Sequence, residues 1–130
     1  MKPCHCGTNA HYEACCGALH AEFTKSGHLA APNAEALMRS RYSAYVLELA
    51  PYLLATWHAS TRPVHLEFEP NLRWLGLEVK QHAQQDATHA TVHFVARSKF
   101  GGRAHRLVET SRFVDEPGIG WQYLAADEPN

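Results

Sequence analysis

The apolar positions of this chain change period once. Between Asn33 and Pro51, Met38, Tyr42, Tyr45 and Leu49 recur at steps of four, three and four, tracing one face of a helix. Asn33 suits the N-cap, where its side-chain oxygen can accept a first-turn N–H, and Pro51 bounds the far end, so residues 34–50 are predicted helical. Pro51 also fits the first turn of a second, shorter helix with Leu53, Leu54 and Trp57 on its apolar face, before Ser60-Thr61-Arg62-Pro63 breaks it. After Pro70-Asn71 the period falls from about 3.6 to about 2, which predicts strands near 74–82, 90–100, 103–115 and 121–126. Two helices followed by a strand meander predict an α+β domain with an antiparallel sheet.

Turn chemistry sets the register of the central hairpin. Gly101-Gly102 can take positive φ at both positions of a two-residue turn, and Glu116-Pro117-Gly118 makes the next reversal. Pairing Phe100 with Arg103 puts Ala96 opposite Leu107, Phe94 opposite Glu109, Val92 opposite Ser111 and Ala90 opposite Phe113. One face is then apolar and carries Glu109. The other carries His93, Arg97, Arg106, Thr110 and Arg112 and is expected to face water. A bulge in either strand would exchange the faces beyond it.

Charge narrows the classes of function. Lysines and arginines number 12 against 13 aspartates and glutamates, a net charge of -1, so no overall field draws the chain to nucleic acid or an anionic membrane. Arg39, Arg41, Arg97, Arg106 and Arg112 could line a basic stripe, but nucleic-acid binding ranks behind the other readings. No run approaches the roughly 18 to 20 apolar residues of a membrane span, and Met1-Lys2-Pro3-Cys4-His5 has no signal-peptide character, so a soluble cytoplasmic protein is expected.

All four cysteines lie within the first sixteen residues. A secreted disulfide scaffold spreads its bridges along the chain, so this clustering favours a metal. Zinc takes four ligands at tetrahedral corners, and Cys4, Cys6, Cys15 and Cys16 can supply them from two short turns brought together by a loop. Gly7-Thr8-Asn9 is turn chemistry, and residues 10–14 can form a helical turn delivering Cys15. A segment this small has little core, so one bound zinc ion would provide most of its folding free energy. Four thiolates closed around zinc leave no open position, which makes the site structural rather than catalytic. His5, His11 and His20 are further metal-binding side chains that a full sulfur set makes unnecessary. Residues 17–32 are short on periodicity and carry turn signals at Ser26-Gly27 and Ala30-Ala31-Pro32-Asn33, which reads as a connector packed on the main domain. The expected organisation is a zinc module over 1–20, a linker over 21–32 and the main domain over 33–130.

Cys-x-Cys-Gly, then Tyr12, then Cys15-Cys16-Gly17 resembles the SEC-C motif, the zinc-binding module found at the C-terminus of the SecA translocation ATPase. The resemblance implies four zinc ligands and a protein-binding surface. His5 stands where proline is usual, Thr8-Asn9 replaces Ser-Gly, and Ala10-His11 replaces a lysine pair, so the ligands are kept and the basic surface is not. The remainder resembles the YchJ family of bacterial proteins through Leu37-Met38-Arg39-Ser40-Arg41-Tyr42, Tyr52-Leu53-Leu54, Thr56-Trp57-His58, Trp74-Leu75-Gly76-Leu77, Phe94-Val95-Ala96-Arg97 and Glu109 with Ser111-Arg112-Phe113. That resemblance implies a nuclear transport factor 2-like cone, a curved sheet wrapped over helices with a cavity at its mouth. Members of the family often carry a second SEC-C motif at the C-terminus. Residues 125–130 hold none, so a two-headed adaptor is not expected.

Cones of this kind bury ligands among aromatics and a few polar groups, which here nominates Arg39, Arg41, Tyr42, Tyr45, Trp57, His58, Trp74, Glu109, Ser111 and Trp121. Glu109, alone on an apolar face, suits a general base, but a lone acid on an inner face normally finds a partner. The expected arrangement is therefore a buried pair with Arg39 or Arg41. No Ser-His-Asp order, phosphate-cradling loop, HExxH helix or paired carboxylates appear. The function expected is that of an adaptor, whose zinc module docks on a protein partner while the cone offers a pocket for a small ligand or an interface for a second copy. The alternative is an enzyme using the cavity, with Glu109 as acid or base and His58 or Ser111 assisting.

Overall fold

The computed structural model describes residues 3–127. The ends of the expected module and main domain, residues 1–2 and 128–130, lie outside the described residues. Asn33 caps helix α2 (Ala34–Leu47), its Oδ1 accepting Ala36 N–H at 2.8 Å. The helix stops short of residue 50 because Glu48 turns left-handed (φ 57°, ψ 50°) and Leu49 N–H folds back to Ala44 O at 2.8 Å. Helix α3 (Ala50–Ala55) then starts afresh with Pro51 in its first turn, where no N–H is needed.

Strands β1 (Leu72–Gln84), β2 (His89–Phe100), β3 (Arg103–Glu116) and β4 (Gly120–Ala126) form one antiparallel meander in the order β1-β2-β3-β4. The β2–β3 register is the one predicted, from Phe100 opposite Arg103 through Phe94 opposite Glu109 to Ala90 opposite Phe113. Gly101 and Gly102 adopt φ of 57° and 81°, as that turn demands. Bulges fall instead in β1, between Trp74 and Gly76 and between Val79 and Gln81, and the β3–β4 register shifts once between Arg112 and Phe113. The first throws Leu75 outward, 55% exposed, and lets Trp74 and Leu77 share a face although they are three residues apart. The inner face of the sheet closes on α2, where Ala34 and Leu37 are buried against Val92, Phe113 and Trp121.

Residues 17–32 are not an irregular connector. Helix α1 (Cys16–Ser26) occupies most of this stretch, ends at Gly27 (φ 77°), whose N–H meets Phe23 O at 2.7 Å, and crosses the boundary expected at residue 20. Its inward face is Cys16, Leu19, His20 and Phe23, spaced three, one and three. That is helical periodicity, concealed because a cysteine and a histidine hold two of its four places. No helix among the described residues is long and apolar enough to cross a membrane.

Candidate functional site

The four cysteines meet at one point. Their sulfurs lie within 4.8 Å of one another, with Cys6 and Cys15 at 3.6 Å, and a tetrahedral zinc at about 2.3 Å from each sulfur would need separations of about 3.8 Å. Cys4 and Cys6 come from a loop closed by Cys4 N–H to Ala10 O at 2.8 Å, and Cys15 and Cys16 sit where a 3₁₀ turn (Tyr12–Ala14) leads into α1. Two glycines are required for close approach. Gly7 has φ of 93° and a Cβ there would meet Leu77 O at 2.7 Å, while a Cβ on Gly17 would meet Tyr12 O at 2.6 Å.

Hydroxyls surround the sulfurs, with Thr8 Oγ1 at 3.3 Å from Cys15 and 3.6 Å from Cys6, and Ser43 Oγ at 3.6 Å from Cys4. Without a cation the thiols divide their protons unequally. The hydrogen bond from Cys16 holds Cys6 down to about 4, and the same contact together with burial pushes Cys16 up. Neighbouring sulfurs so placed can all ionise together only around a metal, so the donor set fits a soft dication.

This cluster is built into the core rather than hung beside it. Cys4, Cys6 and Cys16 are buried with Tyr42, Leu77, Phe94 and Ala96 in one apolar group. Arg39 ties the ligand loop to α2: its Nη1 donates to Cys6 O at 2.6 Å while Nε donates to Glu35 Oε2 at 3.0 Å. His20 makes the second tie. Its Nε2 lies 2.8 Å from Ser40 O, which can only accept, so Nδ1 accepts from Tyr12 O–H at 2.6 Å. Burial keeps the imidazole below its ordinary pKa, and so neutral.

On the other side of Tyr42 a cavity of about 300 Å³ opens between α2 and the sheet. Helix α2 presents Met38, Arg41, Tyr42 and Tyr45 to it, a face at steps of three, one and three. Opposite stand Trp74 of β1, Phe94 and Ala96 of β2, Leu107, Glu109 and Ser111 of β3, and Tyr123 of β4. Trp57 closes the end, positioned by a bridge to β4 in which Tyr123 N–H donates to Thr56 O at 2.7 Å and His58 N–H to Tyr123 O at 2.8 Å. Its indole Nε1 is buried without an acceptor.

The cavity thus gathers Arg41, Tyr42, Tyr45, Trp57, Trp74, Glu109 and Ser111 and leaves out three of the nominated residues. Arg39 is committed to the cysteine loop. His58 faces away, with Nδ1 at 2.8 Å from Ser60 Oγ and Nε2 at 3.3 Å from Glu116 Oε2. Trp121 packs in the core with Phe113. Nor does Glu109 pair with either arginine: Glu109 Oε2 accepts from Ser111 O–H at 2.6 Å, and Arg41 Nη1 donates to Leu53 O at 2.8 Å and Thr56 Oγ1 at 2.6 Å. The pairing fails because α3 supplies Arg41 with acceptors nearer than the sheet. Burial lowers the Arg41 pKa to about 10, which leaves it cationic at neutral pH. Tyr123 was not among the nominated residues, although it stands two residues from Trp121 in a strand, and following the register into β4 would have placed it near Phe113.

Residues 33–126 match the YchJ middle NTF2-like domain. A UPF0225 protein of Cupriavidus metallidurans is 59% identical over 128 residues, covering 96% of this chain and 86% of the relative. A UPF0225 protein of Ralstonia nicotianae is 54% identical over 135 residues, covering 95% and 90%. The solution structure of a SEC-C motif containing protein from Rhodopseudomonas palustris superposes with a TM-score of 0.79 at 30% identity, covering 99% of this chain and all of that one. The crystal structure of a SEC-C motif containing protein from Psychrobacter arcticus gives 0.80 at 26% identity, covering 100% of this chain and 85% of the other. With the cysteine pattern, the α+β cone and these likenesses in agreement, the chain belongs to the YchJ (UPF0225) family, with an N-terminal SEC-C motif.

Proposed function

We propose that this is a zinc-stabilised binding protein in which Cys4, Cys6, Cys15 and Cys16 hold one structural zinc ion and the cone cavity takes a small ligand. One observation supports the reading above the others: three of the four cysteines are buried against the same Tyr42, Phe94 and Ala96 that line the cavity. Metal and pocket share a wall, so the ion acts by holding the cavity's shape. The sulfurs offer four ligands and no place for a substrate, and the cavity offers a volume that suits a small molecule.

The test is a pair of measurements on the intact protein. Metal analysis should give one zinc per chain, lost on Cys6→Ser. An apolar fluorescent dye should bind the zinc-loaded protein and be excluded by Ala96→Phe, which fills the cavity from β2. Full dye binding to a folded Ala96→Phe protein would remove the cavity from the proposal.

The adaptor part of the function rests on a different surface. His5, Asn9, Ala10, His11, Glu13 and Ala14 are the exposed side of the cysteine loop, and a protein partner docking on the module would meet them. Substitutions at Asn9, His11 and Glu13 would then abolish docking while leaving zinc content and dye binding unchanged. Loss of zinc in those variants would show that they act through the fold instead.

A further inference from the structure

Arg41 is a buried cation without a counterion among the described residues. No carboxylate among the described residues stands within 4.0 Å of it, the only arginine bridges there being those of Arg39 and Arg97. Its Nη1 donates to Leu53 O and Thr56 Oγ1, the Tyr45 hydroxyl stands beside the guanidinium, and the guanidinium carbon lies 5.1 Å from the ring centre of Trp57 and 4.8 Å from that of Tyr123. A carbonyl, hydroxyls and two π faces compensate such a charge in part, and none of them neutralises it. Arg41 stands in the wall of a cavity with Nη1 engaged by the protein, and a charge-assisted contact to an anion is the strongest that its other N–H groups can make.

The opposite wall sets a second condition. Glu109 has no cation within 4.0 Å among the described residues, and Ser111 occupies only Oε2, so Oε1 is the oxygen that a ligand in the cavity can meet. A ligand bearing a second negative charge would meet Glu109 as repulsion, whereas a hydroxyl would meet it as a hydrogen bond. The rest of the lining is largely aromatic, with Tyr42, Trp74, Phe94 and Tyr123 beside these two charges, and about 300 Å³ is room for a molecule of one ring.

From this arrangement, and resting on the pocket reading above, we infer that the ligand is a small single-ring aromatic hydroxy acid, its carboxylate on Arg41 and its hydroxyl donating to Glu109. The buried arginine supplies the selection for a monoanion, and Glu109 excludes dianions and rewards a donor. Neither residue alone defines that class. Together on facing walls they measure the distance between a ligand's acid and its hydroxyl.

The experiment titrates the zinc-loaded full chain with 4-hydroxyphenylacetate, 4-hydroxyphenylacetamide, phenylacetate and tyramine, following tryptophan fluorescence, to which Trp57 and Trp74 in the cavity wall respond, together with calorimetry. 4-Hydroxyphenylacetate should bind tightest. Its amide should bind at least about tenfold more weakly for loss of the charge on Arg41, and tyramine more weakly still. Phenylacetate should lose about threefold to tenfold, a difference that Glu109→Leu should erase. Arg41→Met should remove the preference of acid over amide. Should that variant not fold, the acid-to-amide ratio in the unaltered protein and the Glu109→Leu result still decide the matter. Amide or tyramine binding as tightly as the acid overturns the ligand class and leaves the pocket standing. A protein that responds to none of the four overturns the pocket reading itself.

Discussion

The cysteine cluster and the cavity lie on either side of Tyr42, and they solve the problem of buried polarity in opposite ways. Around the cysteines almost every polar group has a partner inside the protein: Arg39 on Cys6 O and Glu35, His20 between Tyr12 and Ser40, and hydroxyls against three of the four sulfurs. In the cavity, among the described residues, Arg41 lacks an acid and Glu109 lacks a base, although both stand in the same lining. A region that satisfies itself serves structure, and one that leaves opposite charges apart is prepared for something from outside.

The comparison is broken most directly by removing the proposed zinc ion. Cys6→Ser, or exhaustive chelation, should destabilise the whole chain by at least about 3 kcal/mol, because four clustered sulfurs, three of them buried in the core, would lose the proposed ion that lets them ionise together. Thermal unfolding with and without zinc measures this, and an unchanged Tm after proven metal loss would refute a structural role.

Arg39→Ala should come next, at about 1–3 kcal/mol, since it strips the carbonyl of Cys6 of a charged donor. Zinc transfer to a chromophoric chelator should accelerate while dye binding in the cavity persists.

The cavity arginine should behave differently. Arg41→Met removes a buried charge with no acid beside it among the described residues but strips Leu53 O and Thr56 Oγ1 of their donor, so stability should fall by about 1–2 kcal/mol, less than for the cysteine, measured by urea unfolding. A loss as large as that expected for the cysteine would mean that Arg41 is a structural tie like Arg39, and the contrast between the two regions would fall.

The smallest effect is that of pH on His20. Its pKa is depressed in the folded state by burial, so the unfolded chain takes up the proton first as pH falls. The contribution of His20 is therefore whole above about pH 6.5 and is lost progressively below it. His20→Gln cannot titrate there, and the stability difference between it and the parent protein should shrink from about pH 7.5 to about pH 5.5. A constant difference would place the imidazole outside the buried network.

Much of this was legible in the chain. The Gly101-Gly102 turn and strict alternation in β2 and β3 determined which residues face the cavity, and Asn33 and Pro51 marked the starts of α2 and α3 by local hydrogen-bonding chemistry alone, while the end of α2 at Glu48 was not marked. Helix α1 was concealed because Cys16 and His20 occupy its inward face for reasons of metal and hydrogen bonding, and a hydropathy pattern does not register either. The bulges in β1 were equally silent, since an extra residue in a strand changes its faces without changing its composition.

The sequence by itself determined the four-cysteine cluster, the α+β order and the central register, because spacing, caps and turn residues act over a few positions. Only the tertiary structure decided the partners of the arginines. Arg39 and Arg41 are two residues apart on one helix and indistinguishable by local rules, yet one reaches the cysteine loop and the other the end of α3. Those acceptors are backbone carbonyls and a hydroxyl brought close by packing, and it is their proximity that left Arg41 and Glu109 apart in the same cavity lining.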